Sequence, residues 1–288
     1  MFIPRKILEE KLKQILAEDI GQGDVTAQTI IPKNLAVNAI VIAKEKGVAA
    51  GIEESTILAE YLGLEVKPKI NDGEKFKNKQ VLMEISGDAQ TIISAERTLL
   101  NFLSRMSGIA TMTRILSDKL ENADVKTKLA ATRKSAPGLL YFDKKAVLIG
   151  KGDSHRLHLD DLILIKDNHL VIAGSVENAV KKAKANASFT KKIEVEVTKA
   201  SDVLKAAQSG AYVIMLDNFS IEQVKDAVGF LEKAGFLGKV MLEVSGGIVA
   251  KNIMDYAIAK VDIISMGELT HSVKVLDISL EIAENKKS

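Results

Sequence analysis

Three short clusters between residues 131 and 169 carry the side chains best suited to chemistry: Thr132-Arg133-Lys134, Ser154-His155-Arg156 and Lys166-Asp167-Asn168-His169. The stretch from 131 to 169 holds three of the chain's four histidines. Lys and Arg number 40 together, only six of them Arg, and two of those six fall in these clusters. Lysine therefore supplies the ordinary surface charge. Arginine, with the planar fork that grips carboxylate or phosphate through two parallel bonds, is used sparingly. A basic, imidazole-bearing centre made from scarce residues points to a small, multiply anionic ligand. The alternative is a chance grouping of surface charges.

The elements that must position these groups follow from hydrophobic periodicity. Short apolar runs at residues 128–132, 162–165, 193–197, 212–216, 240–244 and 262–266 alternate with helical patterns at 175–186, 200–209, 221–234 and 250–259. Val/Ile/Leu-rich strands alternating with helices indicate a parallel sheet. Ser175, Ser201 and Ser220 stand where helix N-caps are expected. Each apolar run ends in polar or glycine residues: Arg133-Lys134, Lys166 to His169, Glu196, Asp217-Asn218, Glu243 with Ser245-Gly246-Gly247, and Gly267. Functional groups at the C-terminal ends of successive parallel strands converge on one face of a barrel. An open sheet would use only the two or three ends at its switch point. The expected fold is thus an incomplete α/β barrel of about six parallel strands. Residues 1–127 read as an α+β domain, with extended stretches at 37–50, 64–70 and 80–86, a helix at 53–62, and a long apolar-periodic segment from 89 to about 120 that leads into the barrel.

At such a mouth, Ser245-Gly246-Gly247 and Met266-Gly267 offer backbone N–H groups to a phosphate. Glu196 and Asp217, from neighbouring strand ends, would hold Mg²⁺ or ribose hydroxyls, or else form salt bridges with Lys134 and Lys166. With no Cys in the chain, a hard, oxygen-liganded cation suits better than zinc. Glu194 lies two residues before Glu196 and shares its face of the strand, so one of the two must lie deeper, and Glu196 is the one expected nearer the ligand. Four fixed positive charges and an imidazole exceed what a monocarboxylate can satisfy. A dianion with a phosphorylated partner fits.

Composition narrows the class. At 47% hydrophobic and 27% charged, the 288 residues suit a globular protein with a substantial core. A net charge of +2, with acids interspersed among the bases, leaves no nucleic-acid stripe. No run of 18 apolar residues suggests a membrane span. The N-terminal stretch mixes acids with bases around an apolar stripe, unlike a signal or transit peptide, so a cytoplasmic protein is expected.

The chain resembles the quinolinate phosphoribosyltransferase family (nicotinate-nucleotide pyrophosphorylase, carboxylating) over nearly its whole length. The ordered motifs are Glu18 to Thr26, Glu96 to Asn101, Ser107 to Thr111, Thr132-Arg133-Lys134, His155-Arg156, Ile165 to His169, Glu194 to Val197, Leu216-Asp217-Asn218, Ser245 to Ile248, and Ser265 to Ser272. Departures from the family pattern fall at Ser135-Ala136, at Leu140, where an arginine is expected, and at Gly150-Lys151-Gly152-Asp153.

The resemblance implies transfer of phosphoribosyl from phosphoribosyl pyrophosphate to quinolinate with Mg²⁺. The products would be nicotinate mononucleotide, pyrophosphate and CO₂, in NAD synthesis. It assigns Arg133, Lys134, His155, Arg156 and Lys166 to the pyridine dicarboxylate or pyrophosphate, and Glu196 and Asp217 to the ribose and metal. Ser245, Gly246, Gly247, Gly267 and His271 fall to the 5′-phosphate. Lys134, Lys166, Glu196 and Asp217 become the catalytic candidates. Arg97 would enter the site of a partner subunit, implying at least a homodimer. The implied domains are an N-terminal α+β sandwich at 1–110, joined by 273–288, and the barrel at 111–272. Competing readings are a related transferase using another acid, such as nicotinate, or a molybdenum-uptake-linked relative, and a catalytically silent phosphosugar-binding protein.

Overall fold

The computed structural model describes residues 3–283. Helices α1 (Arg5–Ile20) and α2 (Val25–Ile30) precede strands β1 (Ala36–Ala43) and β2 (Gly47–Val48), helix α3 (Ile52–Tyr61), and strands β3 (Glu65–Pro68), β4 (Lys75–Phe76) and β5 (Val81–Asp88). Helix α4 (Ala89–Asn122) leads to β6 (Lys128–Ala131), α5 (Leu140–Ile149), β7 (Ile163–Ile165), α6 (Asp167–Ala173), α7 (Val176–Asn186) and β8 (Ile193–Val197). Then come α8 (Ala200–Ser209), β9 (Val213–Asp217), α9 (Ile221–Lys233), β10 (Met241–Ser245), α10 (Ile253–Ala257), β11 (Ile263–Met266), α11 (Glu268–His271) and β12 (Ile278–Ile282). Two compact units result, one drawn from Met1–Arg114, Leu148–Lys151 and Val273–Ser288, the other from Ile115–Val147 and Gly152–Ser272. Of the C-terminal segment expected to join the first domain, residues 284–288 lie outside the described residues.

In the first unit an antiparallel sheet runs in the order β12-β1-β5-β3, with β2 and β4 as a separate pair. Ala39, Val41 and Ala43 are buried at alternate positions of β1, the period-2 pattern of a one-sided sheet. On α1 the buried residues are Leu8, Leu12 and Leu16, four apart and so on one helix face. Gly108 permits a close approach, since a Cβ there would sit 2.3 Å from the Lys274 carbonyl oxygen. Nearby, Leu276 N–H donates to Ser104 O at 3.1 Å and ties the returning segment to α4. Among the described residues, no helix is long and apolar enough to cross a membrane.

In the second unit six strands run parallel in the order β6-β11-β10-β9-β8-β7. Among the described residues β6 and β7 do not pair with each other, which leaves the barrel incomplete. Asp153 fills part of the gap, its N–H donating to Leu129 O at 2.7 Å and its carbonyl accepting from Ala131 N–H at 2.9 Å. Helices α7, α8 and α9 bury Val176/Ala179/Val180, Val203/Ala206/Ala207 and Val224/Ala227/Val228/Leu231, the i, i+3, i+4 stripe of a helix packed on one face. Ser175 caps α7 by accepting from Asn178 N–H. Ser220 caps α9 reciprocally with Gln223.

Two expectations are corrected. Ser201 is not a cap: β8 ends at Val197, Lys199 takes the cap position with no side-chain bond, and Ser201 already lies inside α8. The helix expected at 250–259 is confined to α10, because the Asn252 side chain accepts from Val249 N–H and donates to Gly247 O, holding a turn there instead.

Candidate active site

The C-terminal ends of the six strands surround a cleft of about 520 Å³. Thr132, Arg133 and Lys134 reach it from the end of β6, His155 and Arg156 from the loop after α5, and Lys166 from the end of β7. Glu196, Asp217, Asn218, Ser245, Gly246 and Gly247 line it from β8, β9 and β10. Gly267 and His271 are not among its lining residues. Gly267 lies against the His271 ring and the Lys134 stem, and His271 Nδ1 contacts Ser272 Oγ at 2.6 Å. Arg97 belongs to the first unit, on an exposed position of α4.

The cationic side is under-compensated. Among the described residues, Arg133, Lys134 and Arg156 have no ion-pair partner, while Lys166 Nζ stands 3.6 Å from Glu196 Oε2. Burial, then the neighbouring Arg133, holds the Arg156 guanidinium below its usual pKa, opposed by Glu194 and Asp161. An anion entering here relieves a repulsion as well as forming bonds.

On the acidic side, burial pushes the Glu196 carboxyl up. Asp217 adds to that shift and Lys166 opposes it. The Lys166–Glu196 pairing is thus real, but it spans only part of the mouth. Asp217 Oδ2 accepts from its neighbour Asn218 Nδ2 at 2.7 Å. Asn218 has a left-handed backbone (φ 56), as does Gly246 (φ 83). A Cβ on Gly246 would come within 2.4 Å of Asn218 Oδ1 and 2.9 Å of Asp217 Oδ1, so only glycine lets this loop close over the acid.

Glu194 lies deeper than Glu196, as their shared face requires, at 1% exposure. What the sequence reading missed is its company. His155 Nε2 lies 3.2 Å from Glu243 Oε2 and 3.4 Å from Glu194 Oε2, and Ser265 Oγ donates to Glu243 Oε1 at 2.5 Å. The Glu194 contact is at ion-pair distance but not aligned as a hydrogen bond, so both Glu194 oxygens are buried without a hydrogen-bond partner. Burial, the largest influence, lowers the His155 pKa, but Glu194 and Glu243 together outweigh it and push it up to about 9. Arg156 N–H, 2.7 Å from Nδ1, favours a ring whose proton sits on Nε2. Two ionic partners outweigh one backbone dipole, so the direction is upward. Burial pushes the Glu194 carboxyl up as well. The signal available in the sequence was alternation: Glu194 and Glu196 share a face of β8, and Glu243 sits within the strand rather than after it.

His169, at the end of the third cluster, faces elsewhere. Its Nδ1 accepts from Lys166 N–H at 2.9 Å and caps α6. That helix buries no residue, which is why no apolar stripe announced it.

A half-open parallel barrel with free cations facing two acids at its mouth is an enzyme scaffold for small polyanionic substrates. The chain belongs to the quinolinate phosphoribosyl transferase family, whose C-terminal domain matches residues 109–281 and whose N-terminal domain matches residues 24–107. A probable nicotinate-nucleotide pyrophosphorylase [carboxylating] of Methanocaldococcus jannaschii is 45% identical over 275 residues, covering 94% of this chain and 95% of its own. One of the same description from Bacillus subtilis is 37% identical over 284 residues, covering 98% and 95%. The solved nicotinate-nucleotide pyrophosphorylase from Francisella tularensis matches with a TM-score of 0.89 at 37% identity, over 98% of both chains.

Proposed function

We propose that this chain joins quinolinate to phosphoribosyl pyrophosphate, releasing pyrophosphate and CO₂ and forming nicotinate mononucleotide for NAD synthesis. The observation that carries this reading is the set of three cations, Arg133, Lys134 and Arg156, that lack ion-pair partners among the described residues and line one cleft with the acids Glu196 and Asp217. A pyridine dicarboxylate supplies two negative charges and the ribosyl donor supplies the rest. Arg133, His155, Arg156 and Lys166 hold the dicarboxylate. Lys134 and the loop Ser245-Gly246-Gly247, together with Gly267 and His271, serve the phosphates. The ring nitrogen attacks the ribosyl carbon, whose bond to pyrophosphate oxygen breaks with its electron pair leaving on oxygen. Positive charge then grows on the ribose, and the Glu196 and Asp217 carboxylates stabilise it more than they do the ground state. The adjacent carboxylate leaves as CO₂, its electron pair stays on the ring carbon, and a proton from Lys166 or solvent quenches it.

Glu196 and Asp217 also fit a hard divalent cation: they are oxygen donors at neighbouring strand ends, and burial first, then Asp217, raises the Glu196 carboxyl. Mg²⁺ bound there would neutralise pyrophosphate charge. A homodimer or higher oligomer, with Arg97 offered from α4 of a partner, and a cytoplasmic location complete the proposal. The test is direct: supplied with quinolinate, phosphoribosyl pyrophosphate and Mg²⁺, the protein should release CO₂ and pyrophosphate in equal amounts. Turnover of nicotinate without CO₂ would replace quinolinate as the substrate.

A further inference from the structure

Helix α5 is unlike the other barrel helices. Six successive residues, Phe142 to Val147, are buried, so the helix is enclosed on all sides rather than along one stripe. Two of them, Asp143 and Lys144, are adjacent, oppositely charged and 0% exposed. Burying charge is costly unless each group finds its own partners. Asp143 accepts from Ser135 Oγ at 2.5 Å, directly after the Arg133-Lys134 pair. Lys144 Nζ donates to the carbonyl of Ser154, directly before His155-Arg156.

Both loops are already pinned on their far sides. Lys134 O accepts from Thr270 Oγ1 at 2.7 Å, and Asp153 is bridged to β6. His155 has a left-handed backbone conformation (φ 51), uncommon for a residue other than glycine.

We propose that Asp143 and Lys144 are positioning residues that act through the loops on either side of them. Set one residue apart on a rigid buried helix, they fix the spacing between the Arg133-Lys134 loop and the His155-Arg156 loop. The two halves of the anion site are thereby held ready before any ligand arrives. Neither residue lines the cleft, so each holds its loop from behind. The consequence for substrate rests on the function proposed above. The clamp itself does not.

The test uses Ser135→Ala, which cuts one tie while leaving the buried Asp143 in place, and Lys144→Met, which cuts the other at similar volume. Amide hydrogen exchange in the ligand-free protein should quicken at Arg133 and Lys134 in Ser135→Ala and at Ser154 to Arg156 in Lys144→Met, each leaving the other loop unchanged. Exchange that stays the same in both loops, or rises throughout the barrel, overturns the clamp. If Lys144→Met does not fold, Ser135→Ala alone decides by the same criterion. In steady-state assays KM for quinolinate should rise by about ten- to a hundredfold, with kcat changed less. Crossed exchange with an unaltered KM would overturn the link to the site. A wild-type protein inactive on quinolinate would overturn the function and leave the exchange pattern to judge the clamp.

Discussion

An ammonium cannot take the place of a guanidinium where a carboxylate is held by two parallel bonds. Arg133→Ala and Lys166→Ala should each weaken quinolinate binding by roughly ten- to a hundredfold, the equivalent of about 1.5–3 kcal/mol for one charge-assisted contact. Arg133→Lys should recover little of it, and calorimetric titration reads all three; unchanged affinity would remove these residues from the acid site. For the opposite wall, Asp217→Asn and Glu196→Gln should lower kcat by more than they weaken quinolinate binding, because the charge they face develops only as pyrophosphate departs. Equal effects would mark the acids as structural. Lys144 adds a pH signature. Burial first, then Arg133 and Arg156, lower its pKa from 10.5 to about 8, against the pull of Asp153 and Asp143. Between these values the unfolded chain binds the proton more tightly, so the cost to folding is full below about 8 and fades as pH rises toward 10.5. The stability of the wild type relative to Lys144→Met should therefore grow with pH above about 8, and a difference flat across that window would show that Lys144 titrates normally.

Among the elements, the helix starts show what a side chain contributes by its place rather than its type. Ser220 and Ser201 stand near the starts of α9 and α8, yet only Ser220 accepts an orphan N–H, from Gln223 at 3.3 Å. Ser220→Ala should cost about 1 kcal/mol in urea unfolding, while Ser201→Ala should fall within about 0.5 kcal/mol of wild type. Equal losses would mean that Ser201 also caps. Strand ends follow the same logic. Glu194 and Glu196 differ by one pleat repeat along β8, and that shift separates a buried acid from one at the mouth.

For the whole molecule, the decisive question is whether one chain completes its own site. Arg97 sits in the first unit while the cleft lies wholly in the second. If Arg97 serves a partner's cleft, Arg97→Ala and Lys166→Ala proteins, each inactive alone, should regain activity when mixed and allowed to exchange subunits. In a random dimer up to about one site in four would then be wild type. No recovery despite demonstrated exchange would confine Arg97 to its own chain or remove it from the site.

The sequence by itself determined the alternation of strands and helices in the barrel, because a parallel strand buried on both faces needs an unbroken apolar run and its outer helices need a 3.6-residue stripe. It also determined which residues stand at strand ends, and so Arg133-Lys134, Lys166, Glu196 and Asp217. Elements without a stripe escaped that reading: α5 is enclosed and α6 buries nothing. Only the tertiary structure brought His155 to Glu243, 88 positions away, and to Glu194 on a strand two places across the sheet. It alone showed that Asp143 and Lys144 face two different loops. Local periodicity records which way a side chain points from its own element, whereas partners on other elements depend on strand order and register, and those are fixed when the sheet closes.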